Sequence, residues 1–219
     1  MTFDCQSAQR AAGLPETTFA QRLAARSPDE QALYRLLLGA LAAGAFDELT
    51  LTAAASAAGL GPQRARAALA RLAEADLVAM DGSDTVMGVF PLSAASTHHT
   101  VTLADGRQLP AMCAVDALGI PSMLGQAGTV GSTDPTSGRP VTVTVADGEV
   151  SAEPPGAVVL LARFGDGALA SACCQVIDFY VNATAAEAAL STPGITGTVL
   201  SVADAHALGV TLFADLPAT

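Results

Sequence analysis

The chain changes texture at Pro91, and that change limits its possible folds more than any other feature. Before it, Leu33, Leu36, Leu37, Ala40 and Leu41 recur at helical spacing, the stripe of an amphipathic helix. Ser27-Pro28-Asp29-Glu30 opens that helix with a cap, an N-terminal proline and two acids at its positive end, and Gly44 closes it. Weaker helical patterning precedes it around Thr18 to Ala25, and two shorter helices are expected over Leu49 to Leu60 and Gly61 to Ala75. Leu77 to Met80, Asp81-Gly82 and Val86 to Val89 then predict a hairpin. Helix, helix, helix, hairpin is the order of a winged helix over Pro28 to Leu92, within a first domain taken as residues 1–92.

Beyond Pro91 the pattern becomes that of strands. His99 to Leu103 alternates into an Asp105-Gly106 turn, Leu109 to Leu124 predicts a helix, and Thr129 to Gly131 and Pro140 to Val145 predict strands. Ala157 to Arg163 has the unbroken apolar run of a buried strand, Ala170 to Val181 is expected as an alternating strand, and Ala183 to Leu190 as a short helix. Ser201, with Asp204 three residues on, marks the start of a last helix running to about Asp215. The fold class expected is α+β, with a second, mixed α/β domain over residues 93–219.

Charge narrows the partners. The chain has 21 acidic residues against 10 basic ones, all of them arginine, and a net charge of −11. Such a surface repels phosphate backbones and anionic lipid, so neither nucleic acid nor membrane is expected as a partner. The third helix of that unit does carry Arg64, Arg66 and Arg71, but the Pro28–Leu92 unit has eight acidic residues against four arginines, which favours a packing module over a DNA reader. The first residues lack a basic segment followed by an apolar one, and no apolar run reaches membrane-spanning length, so a cytoplasmic location is expected.

In a reducing compartment, cysteines are more often buried, metal-binding or catalytic than paired. Cys113 lies in Leu109-Pro110-Ala111-Met112-Cys113-Ala114-Val115-Asp116, where Pro110 is expected at the first helical position. Cys113 would then sit in the first turn, where free amides and the helix dipole favour a thiolate, with Asp116 on the same face three residues on. The blander reading is a small buried hydrophobe beside an exposed acid. Of Cys173 and Cys174, adjacent in the expected strand, only one can face the helix bearing Cys113. Cys5 is read as incidental. His98, His99 and His206 read as core and surface imidazoles, because ligation by them would need a tertiary meeting the sequence does not reveal. No hydrolase, metalloprotease or nucleotide fingerprint is present in the chain.

Taken together, DGRQLPAMCAVDALGIPSMLG and, about sixty residues later, SACCQVIDFYVN resemble the organomercurial (alkylmercury) lyase family. The tail GITGTVLSVADAHALGVTLFADL is similar to that family's closing strand and helix, and the resemblance covers roughly Pro28 to Leu216. It implies a winged-helix-like first domain that does not serve DNA binding and a catalytic second domain. It implies Cys113 and Cys173 as mercury ligands, Asp116 as the proton carrier and possible third ligand, and Cys174 as a neighbour not required for chemistry. The implied reaction is protonolysis of a carbon–mercury bond, releasing a hydrocarbon and bound Hg(II). No organic cofactor would be needed, while external thiols would be required. Small thiols or a mercuric reductase would accept the metal. Pro110 and Met112 stand where other members carry aromatic residues, and Thr133 where some carry a cysteine, which alters the expected substrate pocket. Two other functions fit the same residues: a repurposed site acting on another organometal or a biosynthetic substrate, and a soft-metal binding or sensing protein.

Overall fold

The computed structural model describes residues 3–44, 51–82, 85–213 and 215–216. The first stretch is helical: α1 (Cys5–Ala11), α2 (Phe19–Ala24), α3 (Pro28–Ala42), α4 (Leu51–Ala57) and α5 (Pro62–Glu74). Helix α2 starts in a capping box between Thr18 and Gln21, and α3 starts at the Ser27 cap with Pro28 behind it. The expected second-helix start at Leu49 and the hairpin residues Ser83 and Asp84 lie outside the described residues. Strands β1 (Val78–Met80), β2 (Val86–Val89) and β3 (Leu92–Ser93) form an antiparallel sheet, with Val78 opposite Val89.

The second stretch runs β4 (Thr100–Leu103), β5 (Gln108–Pro110), α6 (Ala114–Met123), β6 (Gly128–Thr133), β7 (Pro140–Ala146), β8 (Glu149–Glu153) and β9 (Val158–Phe164). It continues with α7 (Leu169–Ala172), β10 (Asp178–Tyr180), α8 (Ala183–Leu190), β11 (Ile195–Ser201) and α9 (Val202–Phe213). A five-stranded sheet has the order β5-β4-β6-β7-β8, and a three-stranded one the order β10-β9-β11. The molecule is therefore mixed α and β, as the change at Pro91 implies.

Two expected elements differ from those observed. The helix expected from Leu109 begins only at Ala114, because Gln108 to Pro110 pair with β4 and the next amides turn to other chain segments. Ala111 N–H donates to His99 O, Met112 N–H to Pro91 O, and Ala114 N–H to Ile177 O. The strand expected over Ala170 to Val181 is mostly a helical turn, followed by three residues of β10. Gly165-Asp166-Gly167 ends β9, and the Asp76 carboxylate caps the Leu169 amide at 2.8 Å, so the chain coils before it extends. Alternation in sequence could not register an acid supplied from 93 residues away in the chain.

Helix α6 is central. All its residues but Ser122 are buried, as expected of a helix that is apolar on every side. It crosses α9 at a glycine contact: a Cβ on Gly119 would sit 2.6 Å from the Phe213 ring and 2.8 Å from Gly209 O, and one on Gly209 would sit 2.8 Å from Val115 O. The stretches on either side of Pro91 share one core, which includes Leu33, Leu41, Val101, Leu118 and Phe213. Phe19 stacks on Phe90 and on Phe213, and the buried Tyr34 hydroxyl donates to Phe90 O at 2.9 Å. Among the described residues no helix is long and apolar enough to cross a membrane.

Candidate active site

Cys113 caps α6 in an extended conformation, its carbonyl accepting from Ala117 N–H at 2.9 Å while its side chain makes no capping bond. Asp116, one turn on, points into the same space. The turn after α7 brings the third group. Cys173 closes that helix, Cys174 follows, and both amides donate to Leu169 O at 2.9 Å. The sulfurs of Cys113 and Cys174 and a carboxylate oxygen of Asp116 lie within 4.8 Å of one another, all three residues buried. Cys174 Sγ donates to Asp116 Oδ2 at 3.9 Å. The structure thus joins Cys113 to Asp116, as their spacing predicts, and adds Cys174. Cys173, carried over from the resemblance, is outside that cluster but lines the same cavity. Adjacent residues in a turn need not diverge as they do in a strand, and for that reason both cysteines reach it.

The cavity holds about 40 Å³ and is walled by Leu14, Phe19, Phe90, Leu161, Leu169, Ile177 and Leu212. Burial in these walls governs its protons. It raises the pKa of Asp116 to about 7, only partly opposed by hydrogen bonds from Cys113 and Cys174. Burial also lifts the Cys113 thiol well above its usual range, helped by its hydrogen bond with Cys174 and by the Asp116 charge. Cys173 is raised to about 11 by burial, then by the Cys174 charge. At Cys174 the hydrogen bond with Cys113 favours the thiolate, yet burial and the Asp116 and Asp76 charges outweigh it. The thiolate expected at Cys113 from the helix dipole is therefore corrected: in a dry pocket beside a carboxylate, desolvation exceeds what one helix end supplies.

An open cleft of about 460 Å³ lies against this cavity, lined by Met80, Met87, Met112, Ser93, Thr97, Ser171 and Gln175, with Cys174 lining both spaces. Three thioethers thus line the cleft that shares Cys174 with the thiol cavity. Sequence reading singled out Met112 as a changed pocket residue but found neither Met80 nor Met87, which lie on β1 and β2, before Pro91. His98 and His99 converge on Asp178, a residue the sequence gave no reason to connect with them. His206 is buried on α9, where its Nε2 has no hydrogen-bond partner.

Residues 92–214 match the alkylmercury lyase family. The chain is 34% identical over 180 residues to an alkylmercury lyase of Bacillus cereus, covering 81% of this chain and 78% of that protein. The chain belongs to the alkylmercury lyase family. A Streptomyces lividans alkylmercury lyase is 33% identical over 179 residues, 81% of this chain and 80% of the relative. In fold, the chain is similar to the mercury-bound form of MerB2, with a TM-score of 0.73 and 20% identity, covering 87% of this chain and 93% of that one. The activity of the family is cleavage of a carbon–mercury bond, and Cys113, Asp116, Cys173 and Cys174 all lie within the matched residues, while Leu14, Phe19 and Phe90 of the pocket wall precede them.

Proposed function

We propose that the chain cleaves carbon–mercury bonds by protonolysis, with Cys113 and Cys173 as mercury ligands and Asp116 as proton carrier. The observation that carries this reading is Asp116, buried against the Cys113 thiol with a pKa raised to about 7. Mercury is a soft cation suited to sulfur ligands. It enters along the thioethers of the cleft and binds Cys113, whose proton passes to Asp116. The second thiol binds and gives up its proton to solvent. Asp116 then delivers its proton to the carbon. The electron pair of the carbon–mercury bond leaves with the carbon as hydrocarbon, and mercury remains as Hg(II) on two thiolates, with no change of oxidation state. Small thiols or a mercuric reductase then remove the metal, so turnover requires external thiol and no organic cofactor.

One observation favours a variation of this assignment. Cys174 already touches Cys113 and Asp116, whereas Cys173 must rotate to join them. Headspace methane or benzene, measured from methylmercury or phenylmercury in excess thiol, tests the whole reading. Wild type is expected to release hydrocarbon and Cys113→Ser none. Loss in Cys173→Ser with retention in Cys174→Ser supports the first assignment, and the reverse pattern moves the second ligand to Cys174. No hydrocarbon from folded, reduced wild type would point to another organometal, a biosynthetic substrate or metal sensing.

The proposal extends to the first stretch, read as a winged-helix-like packing module within residues 1–92, with the catalytic domain over 93–219. Arg64 is paired with Asp29 at 3.1 Å and Arg71 with Glu30 at 2.6 Å, so two of the three arginines on α5 are engaged within the module. Burial opposes ionisation of Glu30, yet hydrogen bonds from Arg71 and Ser27 outweigh it and lower its pKa. A cytoplasmic location fits a site that works only with reduced thiols.

A further inference from the structure

We propose that His98, His99 and Asp178 form a second metal site, separate from the thiol pocket, for a borderline divalent ion of the zinc class. One ligand atom from each lies within 4.8 Å of the other two. His98 Nε2 is 2.6 Å and His99 Nε2 3.2 Å from the same oxygen, Asp178 Oδ1.

The second observation is the state of His99. The residue has no exposed surface, and its Nε2, aimed at the cluster 3.2 Å from Asp178 Oδ1, has no well-directed hydrogen bond among the described residues. Its other nitrogen, Nδ1, meets Ser132 Oγ at 2.9 Å. A proton on Nδ1 donated to that hydroxyl leaves the Nε2 lone pair facing Asp178, the tautomer in which imidazole binds a metal and the outer contact that orients such ligands. In that tautomer the buried Nε2 lone pair and the carboxylate repel each other, and a cation between them turns both into ligands.

Two imidazoles and one carboxylate are a donor set for zinc, with bond lengths near 2.0–2.2 Å that small rotations of these side chains would reach. The mercury chemistry does not use this set, since soft mercury goes to sulfur. His98 keeps 51% of its side chain exposed, which provides entry and leaves a fourth position to water. An ion here would also tie the two cysteine-bearing segments together. His99 O holds the Ala111 amide two residues before Cys113, and Ile177, next to Asp178, holds the Ala114 amide just after it.

Protein whose thiols are first filled with Hg(II) is titrated with Co²⁺ and then Zn²⁺. One equivalent of Co²⁺ is expected, with the visible bands of a tetrahedral nitrogen and oxygen site, no thiolate charge-transfer band, and displacement by Zn²⁺. Affinity should fall about tenfold or more in His98→Ala, which removes a half-exposed ring, and in Asp178→Asn. Circular dichroism confirms that each variant is folded, and if Asp178→Asn is not, His98→Ala decides alone. The proposal is overturned if no cobalt bands form, if the bands carry thiolate character, or if His98→Ala binds as wild type does.

Discussion

Two clusters of side chains able to hold a metal are built on the same two stretches of chain, yet they differ in character. The Cys113–Asp116–Cys174 group is buried on every side, and its thiols and carboxyl are pushed toward their neutral forms. Of the histidine cluster, His99 and Asp178 are buried and the His98 ring alone reaches water, and burial lowers the His99 pKa against the pull of Asp178. Residue type and the one imidazole open to solvent separate them. A dry pocket holds protons for delivery to a substrate, whereas one exposed imidazole over a buried carboxylate and imidazole leaves those groups within reach of an ion from solvent.

The sharpest way to break that contrast is to remove the thiol at the helix cap. Cys113→Ser is expected to lower hydrocarbon release by at least ~10⁴-fold, the scale for losing a group that bonds directly to the reacting atom. A variant retaining measurable turnover would show that the dry pocket is not where mercury binds.

Asp116→Asn should cost roughly 10²–10⁴-fold in turnover by removing the proton carrier. The acidic limb near pH 7 in wild-type kcat/KM should vanish with it. Stability should move the other way. Asp116 has a folded pKa of about 7 against an ordinary 3.8, so its contribution is fully present below about pH 4 and is lost as pH rises to 7. Asparagine has no charge to bury. The variant should therefore match wild type near pH 4 and exceed it by a margin growing at up to ~1.4 kcal/mol per pH unit until about pH 7. Chemical denaturation at pH 5 and pH 8 measures the sign, and an equal difference at both would rule out ionisation of Asp116 as its cause.

The dry pocket also depends on how closely α6 can approach α9. Gly209→Ala places a methyl 2.8 Å from the Val115 carbonyl, backbone that cannot rotate away, and overpacking of this kind costs ~1–3 kcal/mol. Calorimetry should show a lower Tm, with the Cys113 and Asp116 end of α6 displaced and turnover reduced. The smallest effect is expected at the open side. Met112→Leu keeps volume but removes a soft sulfur from the cleft, and should raise KM severalfold with little change in kcat. A fall in kcat instead would place Met112 in the chemical step.

Much of this was legible in residue order. Ser27-Pro28 marks a real helix start, and Ser201 with Asp204 marks another, the hydroxyl accepting from the Asp204 amide at 3.0 Å. These signals act within one turn, so they survive any tertiary setting. The Cys113–Asp116 spacing worked for the same reason, since residues three apart share a helix face. Strand β8 went unnoticed because its residues, Glu149 to Glu153, alternate between exposed and only half-buried positions and leave little apolar contrast. The coil at Ala170 to Val176 was hidden by its cap, Asp76, 93 residues away in sequence.

Local order therefore accounts for the caps, the α6 pair and the motifs that carry the family, because each depends on interactions spanning a few bonds. Charge state does not follow from such interactions: a helix end favours a thiolate at Cys113, and only the apolar walls gathered from α2, β9, α7 and α9 reverse it. Nor does the meeting of His98 and His99 with Asp178, or of Cys174 with Asp116. Those contacts arise from the way strands and turns far apart in the chain close around α6, and burial, the long-range term, fixes what each group can do there.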